Sequence, residues 1–475
     1  MKAIMIELMA CVALTACAVQ PAQHSTLPET IQQWAPSDWS VNAPQTGPAA
    51  VNADRWWLQF NDPVMHQLVA AVLEQNLDVK ATVERVKQAE AVTTITHAGL
   101  LPELNLGTAA GEARENLPPP VGDVRQAGIG LAASWAPDVF GGQRLKVLAA
   151  QAQLSGSQQA VNTLRLALAA NTASAYIDLR WAQSELTILQ DNAKIRSDAL
   201  RLTQKRKAFG LSTQLDVARA QNQLSELQAR IPGVQSIIQH QLSLIALYSG
   251  RTPESVDQLL ATSGAIPIPG GSLPETLPSQ ALLRRPDVSE AYAMVELRAA
   301  QVGVSQVERY PQFSLSLSDG LLAASYLGLP TLTDNVFNLA LNATSPIFNA
   351  GRIDAEIAGS ESRMRESELK LHQTLLIALK DIEDSRSDLL NASVQLVQRN
   401  DALDASGQAL RLSNELYKGG ASSFLDVLAA QESYLRDADG VNQAQREQAL
   451  FAVGLYRALG GGWSVDAVPT ISASR

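Results

Sequence analysis

The sequence predicts a mainly α-helical chain carrying membrane β-strands, built as a duplicated unit of strand, strand and one very long helical hairpin. Two internal matches and one change of period predict this class. Gly210-Leu211-Ser212-Thr213-Gln214-Leu215-Asp216-Val217 recurs as Gly420-Ala421-Ser422-Ser423-Phe424-Leu425-Asp426-Val427, offset by 210 residues. Leu101-Pro102-Glu103-Leu104 matches Tyr310-Pro311-Gln312-Phe313 at an offset of 209, so one inserted residue separates two registers of a single duplicated body. Between these landmarks the pattern changes from alternation at spacing two to proline-free helical spacing.

Composition supports packed helices over a bulky globular core. Apolar residues make up 46% of the 475 residues but aromatics only 5%, a balance suited to helix–helix contacts. The formal charge of −10, from 37 basic and 47 acidic residues, gives no electrostatic footprint for nucleic acid. Residues 1–16 carry Lys2 and then a short apolar run, too short to span a bilayer, and match a signal peptide. Leu14-Thr15-Ala16-Cys17 has the form of a bacterial lipobox, in which the Cys17 thiol is acylated and becomes the first mature residue. Cys11 leaves with the signal, so no disulfide is expected, and the covalent lipid on Cys17 is the one attached group expected. Residues 17–54, rich in Pro, Gln, Ser and Ala, are expected to form a lipidated tether.

The first repeat, residues 55–265, opens at Trp56-Trp57-Leu58-Gln59-Phe60-Asn61-Asp62-Pro63 and continues as one helix over about 64–98. Strands follow over about 103–113 and 126–137, then helices over about 145–208 and 213–249. Pro232-Gly233 is expected to kink or break the returning helix. The second repeat, 266–462, has strands over about 312–322 and 336–347 and helices over about 353–418 and 423–459; residues 463–475 form a tail. Its strands are the clearer pair: Phe313, Leu315 and Leu317 alternate with serines, and Phe337, Leu339 and Leu341 with Asn338, Ala340 and Asn342. Uncharged polar residues opposite an apolar row, repeated in both halves, mark transmembrane β-strands. A helix of about 64 residues extends on the order of 95 Å, and survives by packing sideways along seams such as Leu186, Ile188, Leu189 and Ile195.

No catalytic constellation, phosphate loop or metal-ligand spacing is present, and the five scattered histidines are expected at ordinary surface or interface positions. Four strands as an open sheet leave two unpaired edges in hydrocarbon, so several copies must close one barrel. Residue patterning leaves two or three copies open, two giving eight strands and three giving twelve.

These residues carry a family resemblance over essentially everything after the signal. Leu14 to Cys17, Trp57-x-x-Phe60-x-Asp62-Pro63, Trp135-x-Pro137-Asp138-x-Phe140-Gly141, its counterpart Pro346-Ile347-Phe348-x-x-Gly351-Arg352 and the two Gly…Leu-Asp-Val turns resemble TolC-type outer-membrane efflux channels. The subgroup is the NodT/OprM-like lipoproteins of resistance–nodulation–division efflux systems. The resemblance implies a homotrimer, with a twelve-strand β-barrel in the outer membrane continued by a long α-helical barrel across the periplasm. It also implies a periplasmic adaptor and an inner-membrane pump as partners.

Under the same resemblance Gly210 and Gly420 turn the hairpins at the periplasmic tips, and Asp216 and Asp426 sit where family carboxylates ring the pore. Thr213-x-x-Asp216 and Ser423-x-x-Asp426 equally have the form of capping boxes, so capping alone and capping combined with gating both stand. Some relatives carry a second acid three residues later; here those positions hold Arg219 and Ala429. Ser422, Ser423 and Phe424 are candidate adaptor contacts. The expected function is a passive conduit for exported small molecules, with a type I protein-secretion channel and a non-pore coiled-coil lipoprotein or adaptor as alternatives.

Overall fold

The computed structural model describes residues 18–40, 53–115, 122–269, 277–326 and 331–461. The signal, Cys17, the Pro118-Pro119-Pro120 loop and the tail lie outside them. The element order is α1 (Leu27–Trp34), a 3-10 helix (Ala53–Phe60), α2 (Pro63–Gln75), α3 (Leu77–Ala98), β1 (Glu103–Glu115), β2 (Gly122–Trp135), α4 (Gly142–Ala208) and α5 (Gln214–Ser249). Then come α6 (Pro253–Leu260), α7 (Pro278–Arg284), α8 (Pro286–Val307), β3 (Gln312–Tyr326), β4 (Leu332–Thr344), α9 (Arg352–Lys418) and α10 (Phe424–Ala458). The chain divides into two compact units.

The unit of residues up to 27, 84–158 and 289–373 holds the sheet. Four antiparallel strands lie in the order β1-β2-β3-β4. Pro137 and Pro346, which lack an N–H, follow β2 and β4. Consequently β4 stops at Thr344, short of the expected 347, and Ile347 and Phe348 stand outside the ladder, 99% and 89% exposed. Each strand pair then enters its long helix identically: Gly141 at φ +84° and Gly351 at φ +83° bend the backbone, and each carbonyl accepts from the residue four ahead. The helices beneath the sheet cross on small residues. Gly156 faces Ala293, Gly303 faces Leu145, and the Ser305 and Ser360 hydroxyls are 2.8 Å apart.

The unit of residues 28–83, 159–288 and 374 onward holds the main apolar core. Trp56 stacks on Tyr456 at 5.5 Å, with Trp57, Phe60, Met65, Ile177 and Ile245 packed around them. Asp62 caps α2 by accepting from the Val64 and Met65 amides at 2.8 and 2.9 Å. Its other oxygen accepts from the Tyr176 hydroxyl at 2.8 Å, which in turn accepts from Arg180 Nε at 2.9 Å. Burial, first, pushes the Tyr176 phenol up to about 12, so this chain of bonds is unchanged through the physiological range. Along α9 the buried positions Leu375, Ala378, Ile382, Arg386 and Leu389 recur at spacings of three and four, as in a coiled coil. The expected seam on α4 is partly so: Leu189 is buried, while Leu186, Ile188 and Ile195 are half-buried and Glu185, Asn192 and Arg196 take core positions.

Three expectations are corrected. The helix over 64–98 is two helices, because Asn76 leaves the helical backbone at ψ 133°. Its Oδ1 accepts from the Asp78 and Val79 amides at 2.9 and 3.1 Å, and its Nδ2 donates to the Tyr248 carbonyl at 2.8 Å. Pro232 does not break α5, which runs unbroken from Gln214 to Ser249. The carbonyl that Pro232 leaves without a helical donor belongs to Gln228, an exposed residue that water can reach. The tether is not featureless over residues 18–40. Val19 and Ala22 donate to Phe140 and Ala299 at 3.0 and 3.1 Å, α1 buries Ile31, and Ser40 donates twice to Glu383.

The repeats share one joint that the sequence did not reveal. Before α3 stands Asn76, bonded to the last turn of α5; before α8 stands Arg285, whose Nη1 donates to the Ala458 carbonyl at 3.0 Å in the last turn of α10. Gly250 and Gly460, both in the left-handed region, end those returning helices against the Gln75 and Arg284 carbonyls. Asn76→Ala removes a helix cap and strands the half-buried Tyr248 carbonyl, and is expected to cost about 2 kcal/mol. Arg285→Ala also leaves Asp287 without its bidentate partner at 2.7 and 3.1 Å and should cost more. Thermal-denaturation midpoints of both variants check this order.

Candidate functional site

The sheet has one apolar face. Strand register aligns Leu104, Ala133, Leu317 and Leu339, then Leu106, Leu131, Asp319 and Phe337, then Thr108, Ile129, Leu321 and Asn335. Directly paired residues share a face, so these rows form a continuous apolar surface. It is open: Leu106 and Phe337 are 68% and 64% exposed. Asp319 is the single acid among these three rows. The opposite face carries Asn105, Ala132, Ser318 and Asn338, and Glu103, Ser134, Ser316 and Ala340. On that polar face Gly107, Gly130 and Gly320 stand in one row. A Cβ on Gly320 would lie 2.6 Å from the Ile129 carbonyl oxygen, so backbone approaches backbone where no side chain fits. Among the described residues, the outer edges of β1 and β4 pair with nothing.

Where the strands meet the helices an aromatic group gathers. Phe140 stacks on Tyr310 at 4.8 Å and lies 6.4 Å from Phe313, and Trp135 Nε1 donates to the Leu100 carbonyl at 3.0 Å. Ala18 packs at this level: a Cβ on Gly141 would lie 3.8 Å from its own. Cys17 itself is outside the described residues.

The hairpin turns have the same geometry in both repeats. Gly210 at φ +74° and Gly420 at φ +77° have open space around them, so the left-handed backbone and not crowding calls for glycine. Leu211 and Ala421 each donate back into the last turn of the preceding helix, at 2.8 Å. Thr213 and Ser423 then start the returning helices. Asp216 Oδ2 accepts from the Thr213 amide at 3.0 Å and its hydroxyl at 2.7 Å, and Asp426 Oδ2 from the Ser423 amide at 2.9 Å and its hydroxyl at 2.8 Å. Both are complete capping boxes. The Thr213 amide, then its hydroxyl, with smaller help from Ser212 and Arg219, holds the Asp216 carboxyl below its ordinary value. Stability from this cap is therefore present above the ordinary carboxylate range and is lost only as pH falls through the depressed value.

Three candidate contact residues behave differently from one another. Ser423 is exposed, Ser422 is half-buried with its hydroxyl enclosed, and Phe424 is buried with Tyr417, Val427, Leu200 and Leu224. In this conformation Phe424 is a packing residue and not a presented contact, because its ring lies 5.4 Å from that of Tyr417. Sequence reasoning missed the side chains that are presented: Phe209, Leu211, Leu215 and Leu425, from 56% to 80% exposed. Their signal is large apolar residues flanking a glycine turn, off the helical seam. It also missed Arg206, which donates to the Tyr417 carbonyl at 2.9 Å and lies 4.6 Å over the Tyr417 ring. Arg219 lines, with Leu425, Leu428, Ala429 and Glu432, a groove of about 570 Å³ between α5 and α10. No group of side chains able to hold a metal ion exists among the described residues.

The family model described as "Outer membrane efflux protein" matches residues 68–250 and 277–461. The pyoverdine export outer membrane protein OpmQ of Pseudomonas aeruginosa is 30% identical over 96% of this chain and 96% of its own length. Nodulation protein T of Rhizobium leguminosarum bv. viciae is 29% identical over 93% of this chain and 90% of its own. Among solved structures, the outer-membrane channel OprN superposes with a TM-score of 0.86 at 26% identity, over 93% of this chain and 99% of its own. VceC of Vibrio cholerae superposes with 0.78 at 26% identity, over 86% and 99%.

Arg206→Ala removes the bond and the ring contact that tie the end of α9 to α4. Trypsin cleavage after Lys418 in the folded protein is expected to quicken several-fold, as local opening becomes cheaper. Timed digestion with mass mapping of the products checks this.

Proposed function

The chain belongs to the outer membrane efflux protein family, and on that footing we propose that three copies close their sheets into one twelve-strand barrel. It is the outer membrane channel component of an efflux pump. The observation that carries the trimeric reading is the four-stranded sheet with an apolar outer face and two open edges. Each unpaired backbone group on those edges costs several kcal/mol in hydrocarbon, and pairing β1 of one copy with β4 of the next removes the cost. Three copies enclose water, whereas eight strands would be filled by side chains.

The polar Ser/Asn face then lines a wet lumen, and the likeness to OpmQ supports small molecules as cargo. Acyl chains on Cys17 anchor the protein to the membrane, a reading supported by the next residue, Ala18, packing at Gly141 at the base of the sheet. The exposed Phe209, Leu211, Leu215 and Leu425 are the contact surface for a periplasmic adaptor, which couples the conduit to an inner-membrane pump. Asp216 and Asp426 ring the tip.

Purified protein is expected to run as a heat-resistant trimer and to form pores in planar bilayers; a monomer without conductance overturns the reading. Asparagine keeps the capping oxygen but removes the charge, and alanine removes both. Asp216→Asn and Asp426→Asn should therefore leave the unfolding free energy within about 0.5 kcal/mol of the parent while lowering cation selectivity. The alanine variants should also loosen the tip and raise conductance. Unchanged selectivity in both asparagine variants reduces these acids to caps.

A further inference from the structure

We propose that Glu185, which shares Arg230 with Asp439, is a proton-binding site that clasps the first helical hairpin to the second, tight when protonated and loosened when not. Glu185 on α4 is a carboxyl in a core position, its side chain 7% exposed. Arg230 on α5 donates through one nitrogen to Glu185 Oε1 at 3.1 Å and to Asp439 Oδ2 at 2.8 Å. Asn442 on α10 donates to Glu185 Oε2 at 3.0 Å and to the Trp181 carbonyl at 3.3 Å. One cation therefore serves two carboxylates across three helices.

The count of donors is also short. Asp439 Oδ1 and Asn442 Oδ1 are buried and accept no hydrogen bond. A proton on Glu185 cancels the surplus charge and adds a donor to the cluster in the same step.

The surroundings do not cancel it otherwise. From α9, Arg399 packs over Gly440, beside Asp439, without an ion pair to either acid. Toward the start of α4, Asp178 and Arg446 neutralise each other at 2.6 Å. Toward its end, Arg196 pairs with Glu432 at 3.7 Å, hydrogen-bonds Gln223 and feels Glu226. Consistent with this, burial and then the Asp439 charge push the Glu185 carboxyl above its ordinary value of 4.5, against the Asn442 bond and Arg230.

A carboxyl raised in the clasped state binds its proton more tightly there than when the hairpins part. The clasp is then fully favoured in acid and weakens as pH rises from the ordinary value through the raised one. For its consequence in conduction the inference rests on the channel reading: hairpins that part widen the conduit, so acid closes it.

The test compares the parent with Glu185→Gln at about pH 5 and about pH 7.5. Hydrogen exchange of α10 peptides, corrected for intrinsic rate, is read beside conductance in planar bilayers. In the parent, exchange should rise with pH by roughly tenfold for each unit by which the pKa is raised. Conductance should rise with it, and Glu185→Gln should hold both flat at the acid values. If Glu185→Gln fails to assemble, Asp439→Asn removes the same charge conflict and should flatten the same profiles. A variant that keeps the parent's pH dependence overturns the proposal. Absent conductance in every protein, with pH-dependent exchange intact in the parent alone, counts against the channel and not against the proton site.

Discussion

Backbone that cannot find a partner in lipid governs this molecule. A strand edge in water binds solvent, but at the edges of β1 and β4 in hydrocarbon there is none. The sheet of one chain is therefore a sector of a closed structure, and its other features serve closure. The apolar face is continuous across all four strands because it faces lipid, and the polar face is Ser and Asn because it faces water. In the row Gly107, Gly130 and Gly320, the latter two give up side chains where the backbones crowd, as a strongly curved sheet requires. Duplication is the economical origin of such a sector, since one strand pair extended by a copy of itself keeps register and face.

Away from the sheet, the cohesion of the helical part is graded along the chain. Trp56, Trp57, Phe60, Tyr176 and Tyr456 anchor a large apolar core, and the Asp62–Tyr176–Arg180 chain fixes it by hydrogen bonds. Farther along α4 toward Ala208 the buried Leu189 and Leu200 are interspersed with Glu185, Asn192 and Arg196, and the apolar clusters become small. Polar contacts exchange with water at low net cost, whereas apolar burial at about 25 cal/mol per Å² does not. The hairpins thus part most easily where they turn, and hold where the core is thick.

Much of this was legible in the sequence because two signals are local. Alternation at spacing two and proline-free helical runs locate strands and hairpins, and the Gly…Asp-Val turns locate the tips, since a left-handed backbone and a capping box are decided within six residues. What was not legible depends on contacts distant in sequence. Asn76 is an unremarkable helix residue until its partner, the Tyr248 carbonyl, lies beside it, and Arg285 is only one of two adjacent arginines until Ala458 does. Pro232 breaks a helix on paper because the sequence cannot say that the freed carbonyl of Gln228 lies on the exposed side. Phe424 has the composition of a contact residue and is instead enclosed by Tyr417 and Val427 from the neighbouring turns.

Capping leaves room for the proposed gating, because the cap uses only part of each carboxylate. Every hydrogen bond that the two carboxylates accept in the boxes goes to a single oxygen, Oδ2 of Asp216 and Oδ2 of Asp426, while their amides donate to the Thr213 and Ser423 hydroxyls. The same donors that favour the ionised form of Asp216 leave Oδ1 uncommitted and the group charged at neutral pH. Each cap therefore fixes a carboxyl group rigidly on a tight turn with one oxygen free, and in the first repeat its donors favour the ionised form. In the proposed trimer three such groups about one axis would repel one another, and the helices that carry them would have to bear that repulsion. The tie from Arg206 to Tyr417 and the enclosed Phe424 ring stand where that load falls.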